Sequence, residues 1–241
     1  MKLHPVEPET EVDAGEWIRP RLLEWWSLPD HRMPVGATVP TGFKDYVRVF
    51  HPPYRTSGEM DRPVRWSEIA SLAGVSLAAD TAWDDLVEPG REPGESLRLQ
   101  APRQGTLLSD QTIPLVDVLR RHTATPDACQ FALWDGYGGL DYERWPGASR
   151  LELPGRSYVV LKGPLEAAAS SFDDAPFWQS PNLWWPRDRS WFVATEIDYL
   201  WSYIGGSKDC IQELLDCEEL ETLRVRSDDP APGSPVSTPR S

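Results

Sequence analysis

Glu196 and Asp198 stand two residues apart in the segment 191–203, WFVATEIDYLWSY, whose odd positions are Trp, Val, Thr, Ile, Tyr, Trp and Tyr. Side chains alternate along a strand, so one unbroken strand would put that aromatic and β-branched set on one face and both carboxylates on the other. Two residues of rise would hold the carboxyl groups ~7 Å apart. An inverting glycoside hydrolase needs an acid and a base ~6.5–9.5 Å apart with a water between them. Trp184, Trp185, Trp191 and Trp201 lie close enough in sequence to serve as sugar platforms. The competing account is plainer: two solvent-facing acids, or acids paired with Arg187, Arg189 or Lys208, a common fate for surface carboxylates. A turn near Asp198 would cancel the parity altogether.

The tryptophans are the second candidate chemistry. Trp184 and Trp185 are adjacent, and neighbours on an extended chain face opposite ways, so one of the two is expected to stay exposed or partly covered. An exposed aromatic among charges is a contact surface. The expected binding patch is Trp134, Asp135, Trp184, Trp185, Asp188, Glu196, Asp198 and Trp201. The formal net charge of −14, from 24 basic and 38 acidic residues, disfavours a nucleic-acid ligand because no basic cluster offsets it. A basic protein partner fits better. The leading expectation is a non-enzymatic binding protein, immunity- or inhibitor-like by analogy. The alternative is a glycosidase-like hydrolase using Glu196 and Asp198.

Other catalytic patterns are missing from the sequence. His4, His31, His51 and His122 form no metal-ligand spacing, and neither a metal nor a cofactor is expected. His51 closes a strand before Pro52-Pro53, and His122 ends a helix, where a cation suits the dipole. Ser207 follows Gly205-Gly206 as a helix N-cap, without the Gly-Lys-Ser/Thr of a phosphate loop or the Gly-x-Ser-x-Gly of a nucleophile elbow. Gly136-Tyr137-Gly138-Gly139 opens no helix and is no dinucleotide fingerprint. Cys129 belongs to an apolar strand. Cys210 and Cys217 are seven residues apart on one predicted helix, ~10 Å along its axis, beyond disulfide reach. Three cysteines without a Cys-x-x-Cys pair suggest reduced thiols and a cytoplasmic setting.

The elements that must position these residues read as an α+β fold. Helices fill the N-terminal half: 18–26, 63–74, turns over 81–87, and 114–122. A mainly antiparallel sheet fills the C-terminal half, with strands at 129–134, 149–153, 157–161, 191–203 and 220–225, and a C-terminal helix from Lys208 packed on it. One strand is expected earlier, over 45–50, and a short one at 97–99. Pro154-Gly155 gives the clearest hairpin, and 165–172 a short helix. The expected organisation is a loose arm over 1–15, one domain over 16–225 and a disordered tail over 226–241. No apolar run approaches eighteen residues and no charged-then-apolar leader opens the chain, so a soluble protein is expected. The sequence leaves the oligomeric state open.

Three stretches, VPTGFKDYVRVFHP, FALWDGYG and PNLWWPRDRSWFVATEID, resemble segments of uncharacterised soluble proteins of actinomycete-type bacteria. The resemblance spans about 39–225 and implies a bacterial cytoplasmic setting. It carries no activity and assigns no residue a role.

Overall fold

The computed structural model describes residues 6–11, 13–24, 33–57, 60–87, 99–174 and 176–232. Nine strands form one antiparallel sheet: β1 (Glu7–Pro8), β2 (Asp45–Phe50), β6 (Cys129–Trp134), β7 (Arg150–Leu153), β8 (Arg156–Gly163), β9 (Leu183–Pro186), β10 (Phe192–Ala194), β11 (Trp201–Gly206) and β12 (Thr222–Val225). Their order is β1-β8-β6-β9-β10-β11-β2-β12, and β7 shares an edge of β8 with β1. A small second sheet sets β3 (Tyr54–Ser57) between β4 (Met60–Pro63) and β5 (Leu99–Gln100). The helices are α1 (Trp66–Leu72), α2 (Ser109–Arg120) and α3 (Lys208–Leu215).

The large sheet buries both of its faces. On the first, Val47, Phe131, Leu161, Trp184, Val193 and Ile204 pack under Leu115, Val118 and Leu119 of α2 and Ile211 and Leu214 of α3. On the second, Ala132, Val160, Trp185, Phe192 and Tyr203 pack under Trp17, Ile18, Val35 and Val39 and under Trp66 and Ile69 of α1. Every residue of β9, β10 and β11 is buried. Such strands read as continuous apolar runs, not as alternating ones.

Several local expectations hold. Strands β2 and β6 match their expected bounds. Pro154 and Gly155 join β7 to β8 with Leu153 opposite Arg156. Proline presets φ for the first turn position, and Gly155, at φ +75°, supplies the left-handed second. The Ser207 hydroxyl accepts from the Cys210 amide at 3.1 Å and caps α3, which packs onto the sheet. Gly205 is needed for space, because a Cβ there would lie 2.5 Å from the Phe43 ring.

Other expectations are corrected. Strands are spread through the chain: β2, from the first half, lies between β11 and β12, where its long-range pairing outweighs chain order. Residues 7–9, expected in a loose arm, join the sheet through the Glu9 amide, which donates to the Val160 carbonyl at 3.0 Å. Residues 226–232, expected in the tail, turn back so that the Ala231 amide donates to Met33 at 2.8 Å. In place of a helix from Ile18, residues 19–21 make one 3-10 turn with Pro20 inside it; Trp25 and Trp26 lie outside the described residues. Helix α2 starts at Ser109, five residues before the expected Pro114, which sits inside it and forgoes one helical hydrogen bond. Thr81–Val87 keeps only a 3-10 turn at Trp83–Asp85, and 165–172 only one at Leu165–Ala169.

Candidate functional site

The single strand expected over 191–203 is two strands. β10 ends at Ala194, the chain turns through 195–200, and β11 begins at Trp201, with Ala194 facing Tyr203. The Tyr199 amide closes that turn on the Glu196 carbonyl at 3.1 Å. The carboxylates therefore do not share a strand face, and the parity argument for their spacing fails.

They converge for another reason. Arg156, first residue of β8, donates from Nε to Glu196 Oε1 at 3.1 Å and from Nη2 to Asp198 Oδ2 at 3.1 Å. Arg156 Nη2 also lies 3.0 Å from Glu196 Oε1. The Asp198 amide donates to Glu196 Oε2 at 2.6 Å. The guanidinium sits 5.8 Å from the Trp134 ring centre. Two carboxylates on one arginine leave a formal charge of −1. Glu196 is 13% exposed and Asp198 67%. Burial raises the Glu196 carboxyl above the usual range, although the Asp198 amide and Arg156 pull the other way. The partner turns out to be Arg156, not Arg187, Arg189 or Lys208.

Beside Glu196 lies a cavity of about 300 Å3, lined by Leu22, Leu23, Met33, Leu153, Tyr158, Leu183 and Ala194 among others. Glu196 and Arg156 are the charged side chains in its wall. Asp198 is not part of that wall, so the two acids do not bracket the cavity. A more polar groove of about 410 Å3 lies by the other end of β8, between Glu9, Gln130, Lys162 and Arg187. Among the described residues no group of three His, Cys, Asp or Glu is placed to hold a metal ion.

Trp184, Trp185 and Trp201 do not form a surface. Trp184 and Trp185 are 0% and 1% exposed. They do face opposite ways, but both faces are covered. Trp184 packs edge-on to Trp191 at 5.5 Å, and Trp185 stacks on Phe192 at 5.6 Å. Trp201 is buried against Tyr199 and over the Arg48 guanidinium, 4.1 Å from its ring centre. Of the four tryptophans expected in the patch, Trp134 alone is half-buried, set edge-on to Tyr137 at 5.1 Å. Asp135 pairs with Arg150 at 2.9 Å. Asp188 lies at the opposite end of the β9–β10 pair from Glu196. Burial would raise its carboxyl, but hydrogen bonds from the Ala124 amide, Ser190 and Thr123 outweigh that and hold it low. Of the eight expected patch residues, the structure gathers Glu196, Asp198 and Trp134, all through Arg156.

A second polar cluster was not foreseen. His51 Nδ1 is 2.7 Å from the Arg103 carbonyl, His51 Nε2 is 3.0 Å from Ser202 Oγ, and Ser202 Oγ is 2.6 Å from Thr195 Oγ1. A carbonyl only accepts, so in the neutral ring Nδ1 carries the proton and Nε2 accepts from Ser202. Thr195 then donates to Ser202, and the direction of the whole chain is fixed. A serine on a histidine resembles a nucleophile and its base. Here all three side chains are fully buried and none lines either cavity, which makes the chain a strut between β2, β10 and β11. Arg48 is also fully buried: Nη1 donates to the Ala79 and Thr81 carbonyls, and the guanidinium lies between Phe50 and Trp201. His122 pairs with Glu213 at 2.6 Å, while His4 and His31 lie outside the described residues.

Comparison with protein-family models, with curated proteins and with solved structures found no match to this chain.

Proposed function

We propose that the protein is a non-enzymatic binding protein whose acidic surface around Glu196 and Asp198 receives a basic protein partner. The observation that carries this reading is the shared arginine: one guanidinium divided between two carboxylates leaves residual negative charge where Asp198 is open to solvent. A net charge of −14 adds long-range attraction for a basic partner. The hydrolase reading gains nothing from the geometry, because both acids are tied to the same cation and only Glu196 meets a cavity. Immunity or inhibition remains an analogy for the kind of partner involved.

The test is affinity capture with the native chain and with Asp198→Lys, followed by binding measurements on any purified captured protein over a range of salt. The reading expects a basic protein whose affinity falls as salt rises and which Asp198→Lys no longer holds. A partner indifferent to both salt and Asp198→Lys would overturn it.

A further inference from the structure

We infer that the cavity beside Glu196 is a binding site for an organic cation, a protonated primary amine on a short apolar body. The ammonium would sit on Glu196 and the body against Leu183, Leu153 and Met33. The inference rests on reading the Glu196–Arg156–Asp198 cluster as a binding site, and it names the chemistry that the cluster selects.

Three observations lead to a cation. The wall comes from separate parts of the chain: Leu22 and Leu23, then Met33, then the β7–β8 hairpin, then β9 and β10. It is mostly apolar, with the hydroxyl residues Thr38 and Tyr158 and one charged place, the usual make-up of a small-molecule site. At that place the carboxylate is withdrawn from water and its charge is only partly met, since Arg156 is shared with Asp198. A further positive group there recovers charge stabilisation that burial has removed. An anionic ligand would instead meet an arginine already neutralised and a local formal charge of −1.

The size and the donor pattern narrow the class. A volume of about 300 Å3 is at the lower end for ligand sites, enough for one ring with a short arm and too small for a nucleotide cofactor. Each Glu196 oxygen already accepts a hydrogen bond, Oε1 from Arg156 and Oε2 from the Asp198 amide. A guanidinium fork needs both oxygens at once. A compact ammonium needs only one remaining lone pair.

Three probes with nearly the same body separate the possibilities: 2-phenylethylammonium, 2-phenylethanol and 3-phenylpropionate, each titrated calorimetrically into the full chain at pH 7. The ammonium is expected to bind saturably, about tenfold or more tighter than the alcohol, with the carboxylate weakest. Glu196→Gln should remove that preference and leave alcohol binding unchanged. Ala37→Leu, which fills the cavity from the 3-10 turn at Val35–Ala37 outside the sheet, should remove binding of all three, with circular dichroism checking that the chain still folds. Equal binding of ammonium and alcohol, tighter binding of the carboxylate, or no saturable binding below about 10 mM would each overturn the inference. The native chain keeps the two readings apart: partner capture with no saturable ammonium binding defeats this inference alone, and ammonium binding with a partner indifferent to salt and to Asp198→Lys defeats the partner reading alone.

Discussion

Acidification from pH 7 to pH 5 should weaken the fold through one residue, His51. Its imidazole is completely buried. Burial is the largest influence on its pKa and lowers it; the hydrogen bond to the Arg103 carbonyl raises it, and the charge of Arg48 lowers it again, leaving it at about 4. In the unfolded chain the ring takes its proton near the ordinary value of ~6.5. Between these two values the unfolded state binds the proton and the folded state does not, so stability is lost as pH falls through that window. At ~1.4 kcal/mol for each pH unit between them, the whole window is worth about 3 kcal/mol, of which about 2 kcal/mol falls between pH 7 and pH 5. The assay is urea unfolding followed by tryptophan fluorescence at pH 5, 6 and 7, for the native chain and for His51→Asn. Asparagine keeps an N–H near the Arg103 carbonyl but cannot titrate. Carboxylates common to both chains cancel in the comparison. The stability advantage of the native chain should shrink by about 2 kcal/mol from pH 7 to pH 5. Parallel pH profiles would refute the reasoning, because they would mean that His51 gains its proton as readily when folded as when unfolded.

Trp184→Ala and Trp185→Ala should each cost about 3–5 kcal/mol in urea unfolding; a loss within about 0.5 kcal/mol for either would place that ring on a surface. Burial pushes the thiols of Cys129 and Cys210 up to about 12, while Cys217 is half-buried. An aromatic disulfide reagent should therefore modify one thiol in the folded chain and all three in denaturant; rapid reaction of three thiols without denaturant would contradict that burial. The raised Glu196 pKa has the opposite sign to that of His51: its contribution is fully present below the unfolded pKa and lost as pH rises through the folded one. Glu196→Gln should thus gain stability relative to the native chain as pH goes from 4 to 7, and a constant difference would count against the raised value.

The local signals in the sequence were mostly legible. The cap at Ser207, the Pro154-Gly155 turn and strands β2 and β6 are each encoded within a few residues, where propensity and turn chemistry act. The site was less legible, because its central residue is distant in sequence. Arg156 lies forty residues before Glu196, and nothing near either residue indicates that the β7–β8 hairpin will bring them together. The same holds for His51 and Ser202, 151 residues apart and joined only by the pairing of β2 with β11. The alternation over 191–203 was misleading for a related reason. When both faces of a sheet are covered, a turn that joins two buried strands can continue their alternation of residue types, as Thr195, Ile197 and Tyr199 do here, so the pattern cannot show where the strand ends.

That double covering also explains where the cavities are. Helices α2 and α3 lie over the first face, and close-packed helical ridges fill it. The second face is covered largely by residues 13–24 and 33–44, which each hold no helix beyond a 3-10 turn, together with the short α1, Trp83, Leu86 and Leu99. Both cavities open on this second face. Tyr158, Leu183 and Ala194 line one, Gln130 and Lys162 the other, and Trp17 packs on Trp185 and Phe192 elsewhere on it. Irregular segments have no repeating ridge to set against a sheet, so they leave gaps wherever no large side chain projects. The 195–200 turn beside one such gap is buried at Thr195 and open at Asp198, and Glu196 and Asp198 tie it down through Arg156. The same contact gives the cavity its one charged wall, so the group that holds the turn is also the group that selects a ligand.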